Sequence, residues 1–223
     1  MAKLYVVATP IGNLEDITLR GFRILQKVDL IACEDTRRTI KLLNKYEIKK
    51  KLISYHQHSH LQKVGFIIEQ IKKGKDVALV SDAGTPAIAD PGQVLIQKAI
   101  ENKIDIIPVP GPQAAVTALS ASGFPANRFL HVGFLPKKKG RQKLLGQLAE
   151  QKIAKTLVFF ESPHRISRTL EDLKKALGDV KVAVFRELTK KFEEIWRGKI
   201  SEVLPKVKPK GEFVIVINKE IEK

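Results

Sequence analysis

Five compact apolar runs, LYVVATP, DLIACE, KLISYH, DVALVS and IDIIPVP, alternate with four stretches of helical spacing in the first half of this 223-residue chain. The runs are short and rich in Val and Ile, the pattern of strands buried on both faces. The intervening stretches, TLRGFRILQKV, TRRTIKLLNKY, HLQKVGFIIEQIKKG and PGQVLIQKAIENK, carry apolar residues at helical intervals. A parallel strand cannot reach its neighbour through a tight turn, so this alternation predicts an α/β unit: a mainly parallel sheet with helices on both faces. Gly74, with lysines just before it, closes the third helix as a helix C-terminus favours.

Beyond PGPQAAVTALSASG the alternation lapses. GFPANR, residues 123–128, sets Gly, Pro and Asn between two periodic stretches. A division is expected there, into an N-terminal α/β domain over 1–122 and a C-terminal α+β domain over 123–223. In the second part NRFLHVGF, TLVFFESP, KVAVFREL, KFEEIWRG and GEFVIVIN read as strands. A basic helix from about Arg141 to Lys152 and another over HRISRTLEDLKKAL interrupt them. Strands in succession with few helices predict a mixed sheet with antiparallel pairs.

Three loops follow strands in the first part: TPIGNLED, SDAGTPAIADPG and PGPQAA. In an open parallel sheet the loops at the carboxyl ends of strands converge on one crevice, where ligands bind. Gly12, Gly84 and Gly111 permit close backbone approach, and the prolines fix the turns. Neither GxxxxGK[ST] nor a GxGxxG after the first strand is present, so the loops carry no standard nucleotide signature. Their backbone groups, with Asp82, Thr85 and Gln113, suit a neutral or cationic ligand better than a triphosphate. Asp90, just before Pro91-Gly92, reads as an N-terminal helix cap.

Charge points outward to a partner. Forty Lys and Arg against 24 Asp and Glu give +16, which fits either a polyanion or a solvated lysine-rich surface. PKKKGRQK, residues 136–143, packs five basic side chains and no acid into an exposed entry to a helix, which reads as a contact for a nucleic-acid backbone. No apolar run approaches a membrane span, MAKLYVVATP begins a strand rather than a secretion signal, and the lone Cys33 builds no disulfide framework. A soluble cytoplasmic protein without membrane contact is expected. Cys33 reads as a small core residue, and Phe159, Phe160 and Trp196 as packing. HQHSH spaces His56, His58 and His60 at alternate positions, which does not supply a converging zinc-ligand set, so no metal is expected.

TPIGNLEDIT, CEDTRRT, SDAGTPAIADPG, VPGPQAAVTAL, FFESPHRI and RELTKKFEE, in this order and spacing, resemble the small-subunit ribosomal RNA 2′-O-methyltransferase I family of the tetrapyrrole-methylase superfamily. The likeness covers nearly the whole chain. It implies a two-domain, dimer-forming tetrapyrrole-methylase-like fold with S-adenosyl-L-methionine in the interdomain cleft. It implies methylation of the ribose 2′-hydroxyl of a cytidine in the decoding region of 16S rRNA, within the small ribosomal subunit. Matching positions assign the cofactor to Pro10, Ile11 and Gly12, to Ser81, Asp82, Ala83 and Thr85, and to Gln113, Ala114 and Ala115. Phe160, Glu161 and Gly211 would contribute from the second domain. Asp82 is the leading candidate, as acceptor for a donor group of the cofactor. Many relatives continue into a helical tail, whereas this sequence ends at IVINKEIEK, so RNA binding is expected to rely on the body of the protein.

The chemistry needs little apparatus. Methyl transfer from a sulfonium is an in-line displacement governed by alignment, and the ribose hydroxyl needs a base to take its proton. Glu34, Asp35, Glu161 and Glu187 are the carboxylate candidates, although arginines beside Asp35 suit it to orienting rather than to proton transfer. Arg37, Arg38, Arg165, Arg186 and Lys190, with His164, are placed to grip RNA, alongside Lys137, Lys138, Lys139 and Arg141; a structural ion pair is the alternative for each of the first group. Two other activities fit the same scaffold: a tetrapyrrole or corrinoid methyltransferase, and a non-catalytic RNA-binding assembly factor.

Overall fold

The computed structural model describes residues 2–55 and 61–219, and the chain divides into two units, Met1–Gln113 and Ala114–Lys223. In the first unit lie strands β1 (Lys3–Val7), β2 (Leu30–Cys33), β3 (Lys51–Ser54), β4 (Val77–Leu79) and β5 (Asp105–Val109). They form one sheet in the order β3-β2-β4-β1-β5, and every pairing is parallel. Helices α1 (Leu19–Lys27), α2 (Thr36–Lys45), α3 (Leu61–Lys72) and α4 (Gln93–Glu101) connect them. The alternation of strand and helix gives the expected architecture.

Each strand feeds two cores, because successive side chains point to opposite faces. Leu25 of α1 and Leu42 and Leu43 of α2 pack with Ile31 and Ala78 on one face. Ile67 and Ile71 of α3 and Leu95 of α4 pack with Leu4 and Leu79 on the other. Full burial of one such side chain contributes about 2 kcal/mol. The strand order turns this packing into a site. Strand β4 lies between β2 and β1, yet the helix that follows it covers the face opposite to α1 and α2. Connections therefore diverge at the carboxyl end of β4 on both sides, which opens crevices there.

Side-chain and glycine caps end several of these helices, Gly74 as expected. Thr18 Oγ1 accepts from the Gly21 N–H at 3.0 Å, and Asp35 Oδ1 accepts from the Arg37 N–H at 2.8 Å. Gly74, at φ +88°, donates its N–H to the Ile71 carbonyl at 2.9 Å. Asp90 does not cap α4. Gly92 holds the N-cap position and no side chain caps it. The loop folds back on itself at that point, so that a Cβ on Gly92 would come 3.0 Å from the Ala87 Cβ.

The second unit contains α5 (Ala114–Ser120), β6 (Phe129–Phe134), α6 (Arg141–Glu150), β7 (Thr156–Glu161), α7 (Ile166–Leu177), β8 (Lys181–Arg186), β9 (Glu194–Lys199), α8 (Ile200–Val203) and β10 (Phe213–Asn218). Its sheet runs β6-β7-β10-β8-β9, with β6 and β7 parallel and the other pairs antiparallel. Phe159, Ile215 and Val184 face a core closed by α6, α7 and α8. The opposite face carries α5, whose Ala115, Ala118 and Leu119 pack on Val158, Ala183 and Val216. That packing moves the division to Gln113–Ala114, ahead of the 122/123 boundary read from GFPANR. A helix belongs to the sheet on which it buries its apolar face, and the Gly/Pro signal lies beyond it.

Candidate active site

The loops after β1, β4 and β5 are tied together at the carboxyl end of the first sheet. Thr9 and Gly84 exchange backbone N–H···O bonds, each 2.9 Å, and the Thr9 hydroxyl donates to the Ser81 carbonyl at 3.0 Å. The Thr85 hydroxyl donates to the Pro112 carbonyl at 3.2 Å. Gly84, at φ +81°, sits at the centre: a Cβ there would lie 3.3 Å from Ile11 Cγ2 and 3.6 Å from the Pro112 carbonyl oxygen. Only glycine adopts that backbone without strain while two other loops press against it. Pro10 is buried and Gly12 exposed beside this knot, and the buried Ser81 turns its hydroxyl to the Gly84 carbonyl at 3.2 Å. Ala83 is half-buried in the same turn.

A polar cavity of about 410 Å³ adjoins, at the ends of β2, β3 and β4, lined by Glu34, Asp35, Thr36, Arg37, Ser54 and Asp82. Asp82 Oδ1 accepts from the Asp35 N–H at 2.8 Å and its Oδ2 lies 3.4 Å from Arg38 Nε. The Asp82 carboxylate thus belongs with the head of α2 rather than with the β1 and β5 loops. Asp35 caps α2 and takes a two-point contact from the Arg37 guanidinium, at 3.0 and 2.8 Å. The Arg37 guanidinium and N–H hold the Asp35 carboxyl down at about 2. Burial pushes the Asp90 carboxyl up, against a hydrogen bond with Ser81, and the Asp82 charge adds to the rise. Burial also pushes up the Cys33 thiol, which is enclosed in the core. Glu34 is half-buried on the cavity wall.

In the second unit several residues expected at a site are committed to the fold. Glu161, with its side chain fully enclosed, accepts from the Ser162 N–H at 2.8 Å, the Thr169 hydroxyl at 2.6 Å and both ends of the Arg165 guanidinium, each at 2.9 Å. Four donors satisfy it, so it is no base. Arg165 also donates to the Leu135 carbonyl at 2.6 Å. Arg141 is buried and donates to Asp172 at 2.8 Å, Thr169 at 2.8 Å and the Pro136 carbonyl at 3.3 Å. Neither arginine reaches out to RNA: both clamp the chain just before Lys137.

The end of the second sheet is locked in the same way. Glu187, at φ +51°, accepts from the Glu212 N–H at 2.9 Å and from Lys190 Nζ at 3.0 Å. Burial alone would raise the Glu187 carboxyl, but that N–H and the ammonium hold it below its ordinary value. Lys190 bridges on to Glu212 at 2.8 Å, and Arg186 pairs with Glu194 across β8 and β9 at 2.7 Å. These are structural ion pairs, which replaces the RNA contacts expected of Arg186 and Lys190. Gly211 is glycine for the same reason: a Cβ there would lie 2.7 Å from Glu187 Oε1. Phe160 meets His131 edge-on at 4.9 Å between centroids, Ala115 is buried on the sheet-facing side of α5, and half-buried Ala114 packs at the rim of the same core.

Lys137, Lys138 and Lys139 stand exposed on the turn before α6, as the sequence implies. Arg37 and Arg38 are exposed but paired with Asp35 and Asp82; His164 is exposed at the head of α7. Gln113, half-buried, ends the first unit. His56, His58 and His60 lie outside the described residues. Thr36 on the cavity wall falls within CEDTRRT; Ser54 could not be picked out from sequence, because its place depends on β3 and β2 being neighbours, and sheet order leaves no local signal.

Residues 3–204 match the family model described as Tetrapyrrole (Corrin/Porphyrin) Methylases. The chain is 47% identical, over 98% of its length and 99% of the other, to Ribosomal RNA small subunit methyltransferase I of Thermotoga maritima. Against the protein of that name from Escherichia coli O157:H7 it is 46% identical, over 96% of this chain and 77% of that one. Among solved structures, cobalt precorrin-4 methyltransferase, a cobalamin biosynthetic enzyme, superposes with a TM-score of 0.72 at 21% identity, over 97% of this chain and 94% of that one. Uroporphyrin-III C-methyl transferase from Thermus thermophilus, complexed with S-adenosyl homocysteine, gives 0.68 at 16% identity, over 97% of each. At that identity the structural likeness speaks for the fold alone.

Proposed function

The chain belongs to the ribosomal RNA small subunit methyltransferase I family of tetrapyrrole methylases, and on that premise we propose that it methylates the ribose 2′-hydroxyl of a cytidine in the decoding region of 16S rRNA. It is a methyltransferase that uses S-adenosyl-L-methionine. The observation that carries the reading is the knot of β1, β4 and β5 loops around Gly84, with a carboxylate-lined cavity beside it. Backbone amides and carbonyls, hydroxyl acceptors and carboxylates suit a sulfonium that carries a ribose and an amino group; they suit a triphosphate badly.

Pro10, Ile11, Gly12, Ser81, Ala83, Thr85 and Gln113 would hold the cofactor through their backbone and hydroxyl groups, and Asp82 through its carboxylate. When bound, S-adenosyl-L-methionine supplies the activated methyl group. The protein's task is then to exclude water, align the ribose hydroxyl and accept its proton. Three of the four carboxylates considered are unsuited to that last step: Asp35 is held too acidic, and Glu161 and Glu187 are locked in place. Glu34 is the proton acceptor in this reading because it lines the cavity itself. Asp35 orients Arg37 and opens α2.

Lys137, Lys138 and Lys139 would hold the RNA backbone within the small ribosomal subunit. A homodimer is part of the proposal. Edge strand β6 exposes Phe129, Leu130 and Phe134, which a second copy would cover; sedimentation at micromolar concentration tests it. No described helix is long and apolar enough to cross a membrane, and action on ribosomes is consistent with the cytoplasm. The deciding experiment is mass mapping of ribose methylation in 16S rRNA from cells with and without the gene. Loss of one 2′-O-methylcytidine in the decoding region is expected. An unchanged methylation map refutes the reading.

A further inference from the structure

A second cavity, of about 330 Å³, lies in the second unit at the far end of α6 from the Lys137–Lys139 turn, lined by Pro125, Asn127, Arg128, Lys152, Ile153 and Lys155. Three of its six lining residues are cations and none is an acid. We propose that this pocket is a second anchor for the RNA backbone, binding phosphodiester groups of the strand whose other part lies on Lys137–Lys139. The inference rests on the functional reading above for the identity of the polyanion and extends it to residues that no part of that reading uses.

The pocket is built, not a chance meeting of long side chains. Gln151 folds the loop below it: its Oε1 accepts from the N–H groups of Ile153 and Ala154 at 3.0 and 3.1 Å, and its Nε2 donates to the Ala154 carbonyl at 2.7 Å. Lys219 Nζ reaches the same turn and donates to the carbonyls of Leu148, Ala149 and Gln151 at 2.7, 3.0 and 2.7 Å. The opposite wall is tied to β7 by the Thr156 hydroxyl, which donates to the Pro125 carbonyl at 2.6 Å. Within this frame Ile153 stands 82% exposed. A bare isoleucine among cations is poor design for a solvated surface and good design for the apolar face of a ribose or base.

Helix α6 connects the two basic groups. Its ten residues span about 15 Å, a distance that a few nucleotides of extended strand cover. Between Arg128 and Lys155 the sequence carries eight Lys and Arg against Glu150 alone. Arg141 is the one buried among them, and it holds the turn rather than the ligand. The remaining cations lie at the two ends of α6, with Lys143 exposed on its first turn. A line of positive charge with little acid is the footprint of a polyanion.

The test is the triple substitution Arg128→Ala, Lys152→Ala, Lys155→Ala, with binding to a 16S decoding-region transcript measured from 50 to 300 mM salt. Removing phosphate contacts flattens the salt dependence, so the log–log slope should fall by about 2 and affinity near 0.15 M salt by roughly tenfold to a hundredfold. S-adenosyl-L-methionine affinity should stay unchanged. Lys152→Glu alone, which leaves every hydrogen bond of the loop in place, should weaken binding in the same direction. An unaltered slope in both variants, while the wild type binds and methylates RNA, overturns the inference. So does competition by cytidine 5′-monophosphate at equal phosphate concentration, which would make the pocket a small-molecule site. A wild-type protein that neither binds nor methylates the RNA sinks the functional reading, and the inference with it.

Discussion

The carboxyl end of β2, β3 and β4 and the core beneath α6 and α7 use the same residue types to opposite ends. Glu34, Asp35, Arg37 and Asp82 surround open space in the first region, with Arg38 paired to Asp82. Glu161, Arg165, Thr169, Arg141 and Asp172 form a closed network in the second, their hydrogen bonds turned inward on one another. Burial makes the difference. An enclosed charge is tolerated only when paired and hydrogen-bonded, so the second set is consumed by its own satisfaction. At the sheet's edge partial exposure leaves acceptor capacity for a ligand. A charged motif in sequence is therefore a promise of either chemistry or architecture, and packing decides which.

The sharpest way to break this contrast is to remove one carboxylate from each region. Glu161→Ala strands Arg165 without its anion and removes the acceptor of the Thr169 hydroxyl, and should cost about 3–5 kcal/mol of stability, read from chemical denaturation. Glu34→Gln should cost less stability than that and lower kcat on the order of a hundredfold, with S-adenosyl-L-methionine affinity retained. Were Glu34→Gln destabilising and Glu161→Ala neutral, the two regions would have been assigned the wrong way round.

Smaller effects sharpen the picture. Replacing Lys137, Lys138 and Lys139 with alanine should weaken RNA binding roughly tenfold and flatten its salt slope, with stability unmoved because all three are exposed. Least of all is expected from Asp35→Asn. Asp35 sits at about 2 in the folded protein, below its ordinary 3.8. The stability its ionisation supplies is complete above about pH 4 and disappears as pH falls towards 2. Asparagine still caps α2, so the rate profile between pH 5 and 9 should keep its shape while acid unfolding becomes shallower. A rate profile displaced by Asp35→Asn would make Asp35 the proton acceptor.

Much of this was legible in the sequence. The strand–helix alternation specified the first sheet, and succession of strands specified the mixed second one, because period and spacing are local signals. TPIGN, SDAGTP and PGPQ announced loops that meet, since glycine and proline report backbone constraint directly. Other features depended on partners far along the chain. Glu161 and Arg165 read as site residues until Thr169, Leu135 and the core around them enclosed the pair. Arg141 reads as one more cation of PKKKGRQK, and only the α6–α7 packing turns it inward. The cavity wall at Ser54 and the pocket at Arg128, Lys152 and Lys155 follow from strand order and loop closure, which no short window of sequence encodes.

In the proposed function the rim of the first sheet seats the methyl donor. Asp82→Ala removes the carboxylate that braces Asp35 and lines the cavity, without touching either core. Titration calorimetry with S-adenosyl-L-methionine should show stoichiometric heat for the wild type and none for Asp82→Ala, with the variant still folded by circular dichroism. Undiminished affinity in that variant would contradict the assignment.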